Sequence, residues 1–158
     1  MKTKKIVSSL MTLLVFFIPL HAKDIDEETV KVVYQCDFQD PKRVNLMLST
    51  LNSLVNQYQL NLVDYEIDVV TLGPCLQYMM KDFNSTGFKK MPNLEKIQTR
   101  FRSLVSGVDN IHLYACENTM EMKNVKPQQL IDIVKLTPSG VGKIIDDQRK
   151  GYSYIKIY

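Results

Sequence analysis

Histidine is nearly missing from this chain. Of 158 residues only two are histidine, His21 and His112. His21 falls in a leader that export removes, so one imidazole is left for chemistry. That leaves little room for a histidine-based metal site or a Cys–His nucleophile pair. No metal and no cofactor is expected. Cysteine is scarce as well, at three residues: Cys36, Cys75 and Cys116. Beyond the leader no apolar run reaches the length that spans a bilayer. Internal repeats and low-complexity segments are absent. An excess of one charge is missing too. The chain has 20 Lys+Arg against 17 Asp+Glu, and Lys2, Lys4 and Lys5 belong to the leader, which leaves 17 of each sign. A balanced chain lacks the basic surplus that neutralises phosphates, so no nucleic-acid partner is expected.

The leader has its own pattern. Lys2, Lys4 and Lys5 precede an apolar run from Ile6 to Leu20, and Leu20-His21-Ala22 ends on a small residue. Residues 1–22 read as a secretory signal peptide cleaved after Ala22. The expected location is therefore periplasmic or otherwise exported, with no membrane attachment after cleavage. Residues 23–158 form one domain, 136 residues long. A chain of that size buries roughly two-thirds of its unfolded surface. An oxidising compartment favours disulfides, and an odd count leaves at least one thiol over.

Strand and helix patterns alternate along the domain. Val30–Cys36 is β-branched and aromatic, so a strand is expected there. Asp40-Pro41 suits a helix start, and Val44, Met47, Leu48, Leu51, Leu54, Val55 and Tyr58 fall on one helical face, with Leu46 the apolar exception opposite. Tyr65–Leu72 reads as a second strand. Gly73-Pro74 turns the chain, and a short helix is expected over Cys75–Phe83. Met91-Pro92 opens a helix carrying Leu94, Ile97, Phe101, Leu104 and Val105, which Gly107 ends. Ile111–Cys116 is the third strand. Pro127 starts a short helix through Ile131, and Ile133–Leu136 is a fourth strand. Ser139 caps a helix bearing Val141, Ile144 and Ile145, and Tyr152–Ile157 closes the chain as a strand. Alternation of this kind predicts a three-layer α/β/α fold with a mainly parallel five-stranded sheet and right-handed crossovers.

In such a sheet every strand ends on one edge, where ligands collect. Cys36, Cys75 and Cys116 each lie at or just after a strand end, so the pattern gathers the three thiols near that edge. Cys36 and Cys75 follow successive strands, and they are expected to pair while Cys116 stays free. The stretch Ile111-His112-Leu113-Tyr114-Ala115-Cys116-Glu117-Asn118-Thr119-Met120 carries the chemistry. Glu117-Asn118-Thr119 suits a helix start, whose amide dipoles favour negative charge on a facing sulfur, although Glu117 opposes them. Two readings of Cys116 stand: a reactive thiol, or a small core residue. His112 lies four residues away on the same strand face, about 13 Å along the strand, so it cannot act as base for Cys116 within one subunit.

Other motifs carry less. Gly140-Val141-Gly142-Lys143 lacks the spaced glycine and the following Ser/Thr of a phosphate loop. Cys116, Met120 and Met122 are soft enough for copper(I), but methionines beside a helix start usually pack. Asn84-Ser85-Thr86 is a glycosylation sequon in an expected surface loop, where a plain loop is the favoured reading.

Val32-Val33-Tyr34-Gln35-Cys36-Asp37-Phe38-Gln39-Asp40-Pro41 resembles the first strand and helix start of single-domain DsrE/DsrF-like proteins. Ala115-Cys116-Glu117-Asn118-Thr119 resembles their Ala-Cys-x-Asn-Thr motif. Pro138-Ser139-Gly140-Val141 and Gly151-Tyr152-Ser153-Tyr154-Ile155 resemble their last helix start and closing strand. The likeness spans about residues 30–158. It implies a five-stranded parallel sheet and homo-oligomers, often trimers or hexamers. It also implies a sulfur relay in which Cys116 accepts sulfane sulfur as a persulfide between donor and acceptor proteins, with Glu117, Asn118 and Thr119 in support. Cys36 and Cys75 are not family cysteines. The expectation is a sulfur carrier rather than a turnover enzyme. The alternative is a non-catalytic oligomeric binding module with structural cysteines. Met79-Met80 and the aromatic last strand are the surfaces expected to meet another subunit.

Overall fold

The computed structural model describes residues 29–158. The signal peptide expected over residues 1–22 lies outside the described residues. Among the described residues, no helix is long and apolar enough to cross a membrane.

The first strand, β1 (Val30–Cys36), runs into α1 (Pro41–Leu60). The Asp40 side chain accepts the Lys42 N–H at 2.9 Å, and Pro41 occupies the first turn, where its missing N–H costs nothing. Val44, Met47, Leu48, Leu51 and Val55 are the buried face of α1. Leu46, off that face, is 50% exposed. After β2 (Tyr65–Thr71) comes α2 (Leu94–Val105), packed beside α1. Gly107 then takes φ +77°, a left-handed turn that leads the chain into β3 (Ile111–Cys116). A short α3 (Glu117–Met122) follows directly, then β4 (Val134–Thr137), α4 (Gly140–Arg149) and β5 (Ser153–Lys156). Ser139 caps α4, its hydroxyl accepting the Gly142 N–H at 3.1 Å.

The five strands stand in the order β4-β3-β2-β1-β5, and every neighbouring pair is parallel. The chain steps from β1 to β4 in one direction and then returns from β4 to the far side of β1. Right-handed crossovers in opposite directions place their helices on opposite faces. Accordingly α1 and α2 cover one face and α4 the other. Val32, Tyr34 and Cys36 join the large core under α1 and α2, while Val33 faces α4 with Val70, Ile144 and Tyr152.

Two expected helices are smaller than the sequence suggests. Instead of a helix over Cys75–Phe83, a 3-10 segment spans Gly73–Met79, and Met80 then bridges Leu130 as an isolated antiparallel pair. Pro74 is the second residue of the segment, and Asn84-Ser85 forms a turn followed by a bend at Thr86-Gly87. The helix expected over Pro127–Ile131 is a 3-10 turn at Pro127–Gln129. Met79 and Met80 are fully buried, so they belong to the core and offer nothing to another subunit. Their place in a short apolar segment looks amphipathic in sequence, but sheet and helices enclose that segment. Tyr154 of β5 is exposed, as is Tyr158 beyond it.

Tyr78, in the 3-10 segment, is fully buried, and its hydroxyl donates to the Gln39 carbonyl. Burial pushes its phenol up to about 12, with the Asp40 charge adding to the effect. A phenol held neutral in the native state gives stability that is complete below its unfolded value of 10.0 and is lost as pH rises from there to about 12. Denaturant midpoints should therefore fall across that window. In Tyr78→Phe the fall should be shallower, after a cost of about 1 kcal/mol at neutral pH for the missing hydrogen bond. Leu51→Ala, which empties the middle of α1's buried face, should cost about 2–5 kcal/mol in urea unfolding. Leu46→Ala should stay within about 0.5 kcal/mol of the parent.

Candidate functional site

The carboxyl edge of the sheet collects the cysteines. Cys36 ends β1 and Cys116 ends β3, while Cys75 sits in the segment after β2. Register separates them. Cys36 is paired with Thr71, and Thr71 with Ala115. Paired residues of a parallel sheet point to the same face, so Cys116, one residue beyond Ala115, points to the opposite face. Cys36 and Cys75 are joined in a disulfide with Cα atoms 5.6 Å apart, within the α1/α2 core and fully buried. Cys116 is the free cysteine and lies on the α4 side, against Gly140.

Cys116 is 5% exposed. It caps the start of α3 in position, but its side chain makes no capping bond to that helix. The amide that reaches the sulfur belongs to another segment: Gly140 N–H donates to Cys116 Sγ at 3.2 Å. Gly140 is the first residue of α4, so the positive end of that helix faces the sulfur. The approach is close. A Cβ on Gly140 would stand 3.1 Å from Leu72 Cβ, 3.2 Å from Cys116 Cβ and 3.3 Å from Val70 Cγ1. Glycine is what allows the α4 amide to reach the thiol.

The three residues after Cys116 divide. Glu117 and Asn118 are exposed, and the Asn118 amide donates to Pro138 O at 3.3 Å. Thr119 is buried, and its hydroxyl accepts the Gly73 N–H at 3.0 Å, tying α3 to the turn after β2. Met120 is buried and Met122 is 81% exposed, so these two do not share a site with Cys116. His112 sits at the far end of β3, its Nδ1 3.1 Å from Lys135 Nζ. Asn84 is exposed on a turn. A surface hollow of about 510 Å³ between α1 and α2, lined by Asn45, Lys96 and Arg100 among others, does not include Cys116. Among the described residues, the arrangement offers a thiol at a strand end with one amide donor and no base hydrogen-bonded to it. Sulfur transfer proceeds through the thiolate, whose charge such an amide donor favours.

Gly140 is the site residue that its sequence position did not single out. Its signal is a glycine directly after a capping serine, where helices do not require one.

The DsrE/DsrF-like family matches residues 31–157. The chain belongs to that family. Membership carries a role of the sulfur-relay type in general terms. Among curated proteins nothing matches this chain. A protein of unknown function, MTH1491 from Methanobacterium thermoautotrophicum, is similar in structure at TM-score 0.62 and 23% identity, over 80% of this chain and 98% of that one. The ychN protein from E. coli is similar at TM-score 0.55 and 8% identity, over 82% of this chain and all of that one. At such identities the likeness establishes the fold: an all-parallel five-stranded DsrE-like α/β sheet.

The disulfide spans a sequence separation of 39 between the buried end of β1 and the buried 3-10 segment after β2. Replacing both partners in Cys36→Ala/Cys75→Ala should lower stability by about 2–4 kcal/mol, read from the denaturant midpoint. Reductant should lower the parent by a comparable amount and leave the double variant unchanged.

Proposed function

We propose that the chain is an exported sulfur carrier that holds sulfane sulfur as a persulfide on Cys116. The Cys116 thiolate attacks the outer sulfur of a donor persulfide. A new S–S bond forms, the donor's S–S bond breaks, and the donor leaves as its thiolate. An acceptor thiolate then attacks the outer sulfur, and Cys116 leaves as thiolate again. No net electrons enter or leave, and no cofactor is required. The observation that carries this reading is the pairing of the free thiol with the Gly140 amide at the start of α4. That donor offsets negative charge on the sulfur as it attacks and as it leaves.

The partners in this reading are a sulfur donor protein, an acceptor protein and further copies of the chain, as a trimer or hexamer. Self-association is supported by Leu136, Val141, Ile145 and Tyr154, all exposed on β4, α4 and β5. Export is supported by the basic and apolar leader of residues 1–22 and by a buried disulfide, a bond that persists in oxidising compartments. A second reading, the non-catalytic binding module, draws on one fact: Cys116 is 5% exposed, so it also serves as packing.

Labelled polysulfide separates the two. Wild type should gain one sulfur on Cys116, read by intact-mass and peptide mass spectrometry. Cys116→Ser should fold, assemble and gain none. Gly140→Ala should load more slowly, because the added methyl pushes the α4 amide off the sulfur. Equal loading of wild type and Cys116→Ser would assign the sulfur elsewhere. A wild type that loads with no donor, or a serine variant that unfolds, would favour the packing reading.

A further inference from the structure

The face under α4 holds a second group of chemistry-bearing side chains, at the opposite end of β3 from Cys116. Glu66 and Asp68 are two residues apart on β2 and so point the same way, and Asp68 is the register partner of His112 on β3. One ligand atom from each of Glu66, Asp68 and His112 lies within 4.8 Å of the other two. Glu66 and His112 are half-buried at the rim, and Asp68 forms the floor at 1% exposure.

Asp68 is only half satisfied. Its Oδ2 accepts from Lys143 Nζ, while its buried Oδ1 accepts no hydrogen bond. Leaving a buried carboxylate oxygen without a donor is costly, and such an orphan calls for an ion or a bound water. Two carboxylates, Asp68 and Asp147, share the half-buried ammonium of Lys143. At the rim Lys135 Nζ lies 3.1 Å from His112 Nδ1. An ammonium only donates, so Nδ1 presents its lone pair to Lys135 across the β3/β4 side of the ring.

We propose that Glu66, Asp68 and His112 form a binding site for a divalent transition-metal cation of the zinc class. One imidazole nitrogen with two carboxylates suits Zn²⁺ or Co²⁺. Mg²⁺ and Ca²⁺ prefer oxygen alone, and copper(I) prefers sulfur. Asp68 contributes Oδ1 and keeps Oδ2 on Lys143, so the contact that seats α4 survives metal binding. Half-exposed Glu66 closes the remaining distance by rotation, since metal–ligand bonds of about 2.0–2.2 Å require a tighter cluster. Three protein ligands leave a fourth position to water.

The test uses tag-free, chelator-stripped protein, with Zn²⁺ in equilibrium dialysis and Co²⁺ followed by its visible spectrum. One ion per chain is expected. Glu66→Gln and His112→Ala should each weaken binding by at least about tenfold, since even outer-shell partners of a metal ligand cost that much. Cys116→Ser should bind like wild type, and Mg²⁺ in excess should not compete. Circular dichroism melts check that each variant folds, and Glu66→Gln, at the rim, serves if His112→Ala does not. No saturable binding would overturn the proposal. So would loss of binding in Cys116→Ser with retention in Glu66→Gln, or displacement by Mg²⁺.

Discussion

Everything at the working edge depends on the register of β1, β2 and β3. Cys36, Thr71 and Ala115 occupy one rung of the sheet. Because side chains alternate, a single residue decides which face a cysteine meets. Cys36 falls on the α1/α2 side and becomes half of a buried disulfide. Cys116, one step beyond the rung, falls on the α4 side and stays reduced. The sheet therefore keeps a structural sulfur bridge and a free thiol at the same edge without letting them exchange within a subunit.

The α4 face has a different character from the α1/α2 face. It has few buried apolar residues, Val33, Val70, Ile144 and Tyr152. An ion network supplements them: Lys143 reaches Asp147 at 2.6 Å from α4 itself and Asp68 from β2. Burial lowers the Lys143 value, but the hydrogen bonds and charges of Asp147 and Asp68 outweigh it and hold the ammonium above its usual range. Burial raises Asp68 above its usual range, outweighing the hydrogen bond and charge of Lys143. Such a network is a weak net stabiliser, yet removing one partner strands a buried charge and is costly. Its consequence here is positional. It sets where α4 lies on the sheet, and so where Gly140 meets Cys116.

Much of this was legible in the chain. The alternation of strand and helix patterns, the Asp40-Pro41 and Ser139 starts, and the apolar face of α1 all follow from local rules: each residue's neighbours in sequence are its neighbours in the element. The pairing of Cys36 with Cys75 was legible for a similar reason, since two thiols after successive strands of a parallel sheet end on one edge. Short elements were less legible. Gly73–Met79 has too few residues for a helical period to show, and the enclosing core made it a 3-10 segment. Met79-Met80 reads equally well as surface or core until the layers around it are known.

By itself the sequence determined the elements, their order, the parallel α/β class and the gathering of cysteines at one edge, because periodicity and capping act over a few residues. Only the tertiary structure decided which face each thiol meets, which amide reaches Cys116, and that His112 stands beside Glu66 and Asp68. Those outcomes depend on strand order and register, which bring together residues 24 apart in the case of Cys116 and Gly140. Nothing local in the chain records such a distance.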